Sequence, residues 1–325
     1  MCGIVGLYLK NEQLRTQLGA LFRPMLSEMK SRGPDSAGVA IYRNATSSGQ
    51  TKFSLATDDP SYDWKQIDVG LESALNCDAS INPIDTHCIL VTNGPELDVR
   101  KWLKRNQNAV RVVGSGSSVE IFKEVGLPDQ VFDRFQLDAA AGTHMIGHTR
   151  MATESAVTTA GSHPFATGAD LCLVHNGSLS NHHRLRENLR KEGLEFQTEN
   201  DTEVAAAYMT WKIREGHSLR QTLEQAIDDL DGFYTFCVGT RDGFAVLRDP
   251  IACKHAVLAE TYRCHPKISE FSRTQFYEDL GVESKYDEAS APWEFRIYLT
   301  NQFSKFLRRL VSLCQPKHDL NRQLW

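Results

Sequence analysis

The sequence has no cysteine pair spaced C-x-x-C, although it holds eight cysteines, at positions 2, 77, 88, 172, 237, 253, 264 and 314. Scattered single thiols argue against zinc ribbons and dithiol redox sites, and they fit a reducing compartment better than a disulfide framework. No apolar run reaches the ~18 residues of a membrane span. No long basic run is present either: 36 Lys and Arg against 41 Asp and Glu give no reason to expect a nucleic-acid partner. The N-terminus lacks the charged region, apolar run and small-residue cleavage site of a secretory signal, so a cytosolic location is expected. What is there is 325 residues with 41% hydrophobic content, enough for one large domain or two smaller ones around a stable core.

The first six residues, Met1-Cys2-Gly3-Ile4-Val5-Gly6, organise the reading of the rest. Methionine is normally trimmed before a small residue, and its removal would leave Cys2 with a thiol and a free α-amine. An α-amine titrates near ~8 and a cysteine thiol near ~8.5, so the amine can take the thiol proton directly or through one water. The same pairing activates N-terminal threonine nucleophiles. The plainer alternative keeps Met1 and makes Cys2 a small hydrophobe entering a buried strand.

Gly3 to Leu9 is a mostly apolar run that fits a buried strand. Gln13 to Lys30 carries apolar residues at the helical period, with a kink expected at Pro24. Arg32-Gly33-Pro34-Asp35-Ser36-Ala37-Gly38 is a turn leading into a strand over Val39–Tyr42. Residues 44 to about 138 look like a separate α/β segment. Lys52–Thr57 reads as a hairpin strand, His87–Val91 and Val110–Val113 as further strands, and Trp64–Leu75, Leu97–Lys104 and Val119–Val125 as helices. Gly114-Ser115-Gly116-Ser117-Ser118 can hold an anion on its backbone N–H groups or be a strand-to-helix turn with serine caps; it lacks the lysine and spacing of a P-loop.

Polar residues gather again from Gly147. Arg150, in Gly147-His148-Thr149-Arg150, is expected near a strand end, and a guanidinium binds carboxylates through a rigid fork. Leu171 to His175 is a buried-type strand running into Asn176-Gly177. That pair is either a tight turn or a side-chain amide beside an unobstructed N–H, two donors that can converge on an oxyanion. A helix over 181–192 capped by Gly193 is followed by Asn200 and Glu203, which fit a capping arrangement and leave Asp201 available. Helices over 202–215 and 219–230 and a hairpin of 232–239 with 244–247 complete the pattern.

Taken together and in order, Cys2-Gly3-Ile4-Val5-Gly6, Arg32-Gly33-x-Asp35-Ser36-x-Gly38, His148-Thr149-Arg150-x-x-Thr153, His163-Pro164, His175-Asn176-Gly177, Asp201-Thr202-Glu203 and Asp231-Gly232 resemble the class II, N-terminal-nucleophile glutamine amidotransferases. The wording of 147–157, 179–182 and 247–253 is most similar to the amidotransferase-like subunits of N-methylglutamate synthases. The resemblance implies an α+β fold, a four-layer αββα sandwich of two antiparallel sheets (the N-terminal nucleophile hydrolase fold) with an α/β insertion. It implies an amidotransferase domain over 2–260, interrupted at about 44–138, and a divergent tail over 261–325.

The resemblance also implies roles. Cys2 would attack the side-chain amide of L-glutamine, Asn176 and Gly177 would hold the oxyanion, Arg150 would bind the substrate α-carboxylate and Asp201 its α-ammonium, and Thr153 and Gly33 would shape the pocket. No metal or organic cofactor is implied for this half-reaction. Ammonia would pass to a synthase subunit on a separate chain; in the N-methylglutamate synthase setting that partner is a flavin-binding, glutamate-synthase-like subunit. Met151 and Glu154 stand where sugar-phosphate synthases usually carry Trp and His, which leaves the pocket roof open to difference. A hydrolase of another linear amide and a catalytically silent structural subunit remain as competing readings.

Overall fold

The computed structural model of the chain describes residues 2–152, 156–252 and 254–257. Strand β1 (Gly3–Tyr8) leads through a 3-10 turn (Glu12–Gln17) into helix α1 (Leu18–Ser27), and a second such turn (Lys30–Arg32) precedes β2 (Ser36–Tyr42). Then come β3 (Thr51–Thr57), α2 (Lys65–Leu75), β4 (Ala79–Ile84), β5 (His87–Thr92), α3 (Glu96–Asn106) and β6 (Val110–Gly116). β7 (Val119–Val125), α4 (Pro128–Arg134), β8 (His144–Arg150), β9 (Phe165–Gly168) and β10 (Leu171–Leu179) follow. The last elements are α5 (His182–Lys191), α6 (Asp201–Arg214), α7 (Leu219–Asp229), β11 (Gly232–Thr240) and β12 (Gly243–Arg248).

Two antiparallel sheets, ordered β1-β8-β2-β7 and β12-β11-β10-β9, form the centre. Side chains alternate along a strand, and here that alternation separates the layers. Val39 and Ile41 of β2 and Met145 of β8 pack outward on Leu18, Phe22 and Leu26 of α1 and Phe132 of α4. Their neighbours Ala40, Tyr42 and Ile146 turn inward against Cys172, Val174 and Cys237 of the second sheet. The outer face of that sheet, with Leu173, Tyr234 and Phe236, is covered by Leu189, Val204, Tyr208 and Ala226 of α5, α6 and α7. The order helix, sheet, sheet, helix is the expected four-layer α+β sandwich, and its apolar burial is the dominant stabilising term. No helix among the described residues is long and apolar enough to cross a membrane.

A third antiparallel sheet, β4-β5-β3-β6, carries α2 and α3 on one face around Phe53, Ile67, Leu71, Leu90 and Leu103. Three local expectations change here. β3 pairs with β5 and β6 instead of returning on β2. Residues 119–125, expected as a helix, form β7, which pairs with β2 in the first sheet. So β7 and α4, although inside the span 44–138, belong to the sandwich, and the separate sheet is built from residues 51–116. The helix expected over 13–30 is shorter: a 3-10 entry (Glu12–Gln17) precedes α1, which spans Leu18–Ser27 and contains Pro24.

The 114–118 stretch turns between two strands, β6 and β7, and its serines do hold an anion, which is the protein's own. The Asp170 carboxylate accepts from Ser117 N and Ser118 N at 2.8 Å, Val119 N at 3.0 Å and both serine hydroxyls. Burial works against that charge, yet the donors hold its pKa below the ordinary carboxylate value. The tail 261–325 lies outside the described residues.

Candidate active site

β1 pairs with β8 in a register that places Gly3 opposite Thr149. Cys2 therefore stands at the start of β1, beside the end of β8 where Arg150 is the last residue. Gly3 N donates to Thr149 Oγ1 at 3.2 Å, and that hydroxyl donates to Met29 O at 3.0 Å, so the strand carrying the thiol is anchored at its first peptide. Gly33 lies against the same spot: a Cβ there would stand 2.3 Å from the Thr149 carbonyl carbon and 2.6 Å from Arg150 N. Only a residue without a side chain fits.

Arg150 is 5% exposed, and its Nη1 donates to Ala156 O at 3.3 Å. Asp35, from the turn after Gly33, braces this strand end. Its N–H donates to Arg150 O at 3.1 Å and its carboxylate accepts from Ala152 N at 2.7 Å. Thr153 lies outside the described residues.

Asn176-Gly177 is not a turn. β10 continues through it, with Asn176 opposite Thr235 and Gly177 opposite Tyr234 of β11. Cys172 and Val174 face the space between the sheets, and the period of two puts Asn176 on that face. Gly177 has φ +144°, and a Cβ there would fall 1.9 Å from Phe233 O, so glycine is required on two counts.

Asp201 opens α6 behind Asn200, whose side chain caps Thr202 N at 2.8 Å. Its Oδ2 accepts from Leu179 N at 3.0 Å, and its Oδ1 stands 3.7 Å from His175 Nδ1. Burial opposes the charge, but His175 and the Leu179 N–H outweigh it and lower the Asp201 pKa to about 2. Asp201 is thus a carboxylate at any physiological pH, suited to an ammonium group. Glu203 does not reach back to Asn200; its carboxylate accepts from Gln197 N and Thr198 N at 2.7 and 2.8 Å and shapes the loop before α6.

The two groups, Cys2 with Gly33 and Arg150 on one side and Asn176 and Gly177 with Asp201 on the other, are joined by polar side chains to which the motif pattern gave no role. His148 Nε2 meets His175 O at 2.8 Å. The His148 ring stacks on His163 at 3.9 Å, and Thr202 Oγ1 lies within hydrogen-bond distance of both His163 Nε2, at 2.8 Å, and His175 Nδ1, at 3.1 Å. Desolvation lowers the His148 pKa to about 3 and the His163 pKa well below its ordinary value, so both rings are neutral. Lys123, buried, donates to the carbonyls of Ala160, Ser162 and Pro164 at 3.2, 2.8 and 3.3 Å and stands 4.5 Å over the Phe165 ring, fixing the loop that carries His163. Burial pulls that ammonium down to about 7 while Glu203 works in the opposite direction. The available signal was a histidine inside each apolar strand run, at positions 148 and 175.

Residues 148–263 match the glutamine amidotransferase domain family. The chain is 54% identical over 264 residues to the glutamine amidotransferase-like protein GlxB of Rhizobium meliloti, covering 81% of this chain and 87% of that protein. It is 33% identical over 310 residues to a putative glutamine amidotransferase of Methanothermobacter thermautotrophicus, covering 92% of this chain and 99% of that one. Among solved structures, the glutamine phosphoribosylpyrophosphate amidotransferase of B. subtilis aligns with a TM-score of 0.44 at 20% identity, over 80% of this chain and 39% of its own. The chain belongs to the glutamine amidotransferase family.

Proposed function

We propose that the protein is a glutaminase subunit that hydrolyses the side-chain amide of L-glutamine through a thioester on Cys2 and delivers ammonia to a synthase on another chain. The observation that carries this reading is the joining of the β1–β8 end, with Cys2 and Arg150, to the β10–α6 end, with Asn176, Gly177 and Asp201, through His148 and His175. With Met1 removed, the α-amine of Cys2 takes the thiol proton and the thiolate attacks the amide carbon. The oxyanion is held by the Asn176 side-chain amide and the Gly177 N–H, and the intermediate collapses to a thioester as ammonia leaves with the proton from the α-ammonium. Water, deprotonated by the same amine, attacks the thioester and releases glutamate. Arg150 and Asp201 together match an amino-acid head group, one charge for each of its ends.

The resemblance of 147–157, 179–182 and 247–253 to N-methylglutamate synthase subunits supports a flavin-binding, glutamate-synthase-like partner as the acceptor of the ammonia. The test is intact-mass analysis of the purified N-terminus combined with glutamate release from glutamine, with and without that partner. A protein lacking Met1 that releases no glutamate in either condition would rule the reading out.

A further inference from the structure

Apolar packing between the two sheets is non-directional: it sets their separation and resists sliding weakly. Directional contacts fix the offset, and β8 supplies two of them on its inward face. His144, at one end, pairs through Nε2 with Thr240 O at 2.9 Å, and His148, four residues on, pairs through Nε2 with His175 O at 2.8 Å. Both rings are fully buried. His148 sits opposite Ile4 of β1 and two residues before Arg150, so it belongs to the strand pair that carries the thiol. The oxygen it meets belongs to the peptide plane linking His175 to Asn176, and a planar peptide passes the constraint directly to the Asn176 Cα.

We infer that His148 is a positioning residue: its Nε2–H strut across the sheet interface sets the oxyanion donors Asn176 and Gly177 against the Cys2 strand. This rests on the proposed glutaminase reading but is separable from it. The second half of the clamp is the ring of His175, held through Thr202 by His163. The strut requires the neutral His148 tautomer with its proton on Nε2, and the Nδ1 atom, which has no hydrogen-bond partner among the described residues, is consistent with a bare acceptor there.

The test uses the full chain with His148→Gln, whose amide nitrogen reaches the Nε2 position, and His148→Asn, whose amide ends short of it. In the Asn variant kcat for glutamine is expected to fall about 100-fold, the scale of a ~1 Å displacement of reacting groups. KM and the rate of Cys2 alkylation by iodoacetamide, which needs no oxyanion site, are expected to stay within about twofold. The Gln variant should recover most of kcat. Hydrogen exchange of the Asn176 and Gly177 amides should quicken in the Asn variant and not in the Gln variant; this readout stands even if the wild type lacks glutaminase activity. Equal kcat in the wild type and Asn variant, or equal loss of alkylation and turnover, would overturn the inference. Should neither variant fold, imidazole nitrogen shifts of the wild type decide the matter: a His148 proton on Nε2 supports the strut, and one on Nδ1 removes the donor and refutes it.

Discussion

Gly3 and Thr149 are bound twice, as partners in the β1–β8 register and through the Gly3 N–H to the Thr149 hydroxyl at 3.2 Å. The strand that follows Cys2 is therefore fixed at its first residue, and Cys2 itself precedes β1. Under the proposed function its α-amine, once Met1 is removed, is the base that activates the thiol.

The first expectation is that the mature protein begins at Cys2 and that a diazoketone analogue of glutamine labels this residue alone among the eight cysteines. Cys88, Cys172 and Cys237 are buried, and burial pushes their thiols to about 12 or higher, which makes them poor nucleophiles. Peptide mass mapping checks this. An active preparation that retains Met1 would contradict it, because an amide nitrogen is no base.

Substrate binding and transition-state binding separate by residue. Arg150→Lys or Asp201→Asn should raise KM for glutamine roughly 10- to 100-fold, the loss of a charge-assisted contact. Asn176→Ala should lower kcat by ~100- to 1,000-fold with KM little changed, since the proposed function gives it a contact made to the oxyanion. Steady-state kinetics of the three variants decide, and a uniform fall in kcat would argue against these roles.

Gly177→Ala combines a strained φ with a Cβ placed 1.9 Å from Phe233 O, so β10 and β11 must part locally. Loss of turnover with a melting temperature lowered by several degrees is expected, consistent with a cost of ~1–3 kcal/mol. Calorimetry of a variant as stable as the parent would show that the strand pair yields more easily than its register implies.

Acid lability is the fourth expectation. His87, His144 and His148 are fully buried, and burial lowers their pKa values to about 3, 4 and 3. Folded values below the unfolded ~6.5 mean that the unfolded chain takes up protons first. Stability is complete above about pH 6.5 and falls as pH drops toward 3–4, at ~1.4 kcal/mol per pH unit for each histidine. The lowered Asp201 value works in another window, below about pH 4. Urea unfolding across pH 7 to 4 should therefore show stability falling before the carboxylates titrate; a flat profile over that range would refute it.

The sequence by itself determined what depends on local periodicity and on residue order. Strand β1, helices α5 to α7, the β11–β12 hairpin and the left-handed Gly193 after α5 (φ +79°) were legible there, because the period of two, the period of 3.6 and glycine conformations are properties of neighbouring residues. Tertiary structure decided the partners. Val119, Ile121, Phe122 and Val125 satisfy a helical and an extended pattern alike, and pairing with β2 selects the strand. Asn176-Gly177 reads as a turn until β11 pairs straight through it. Asp170 fills the serine nest across a gap of about fifty residues, and His148 finds His175 O from the opposite sheet. Such pairings join residues far apart in the chain, and no local pattern of side chains encodes which distant carbonyl a buried imidazole will meet.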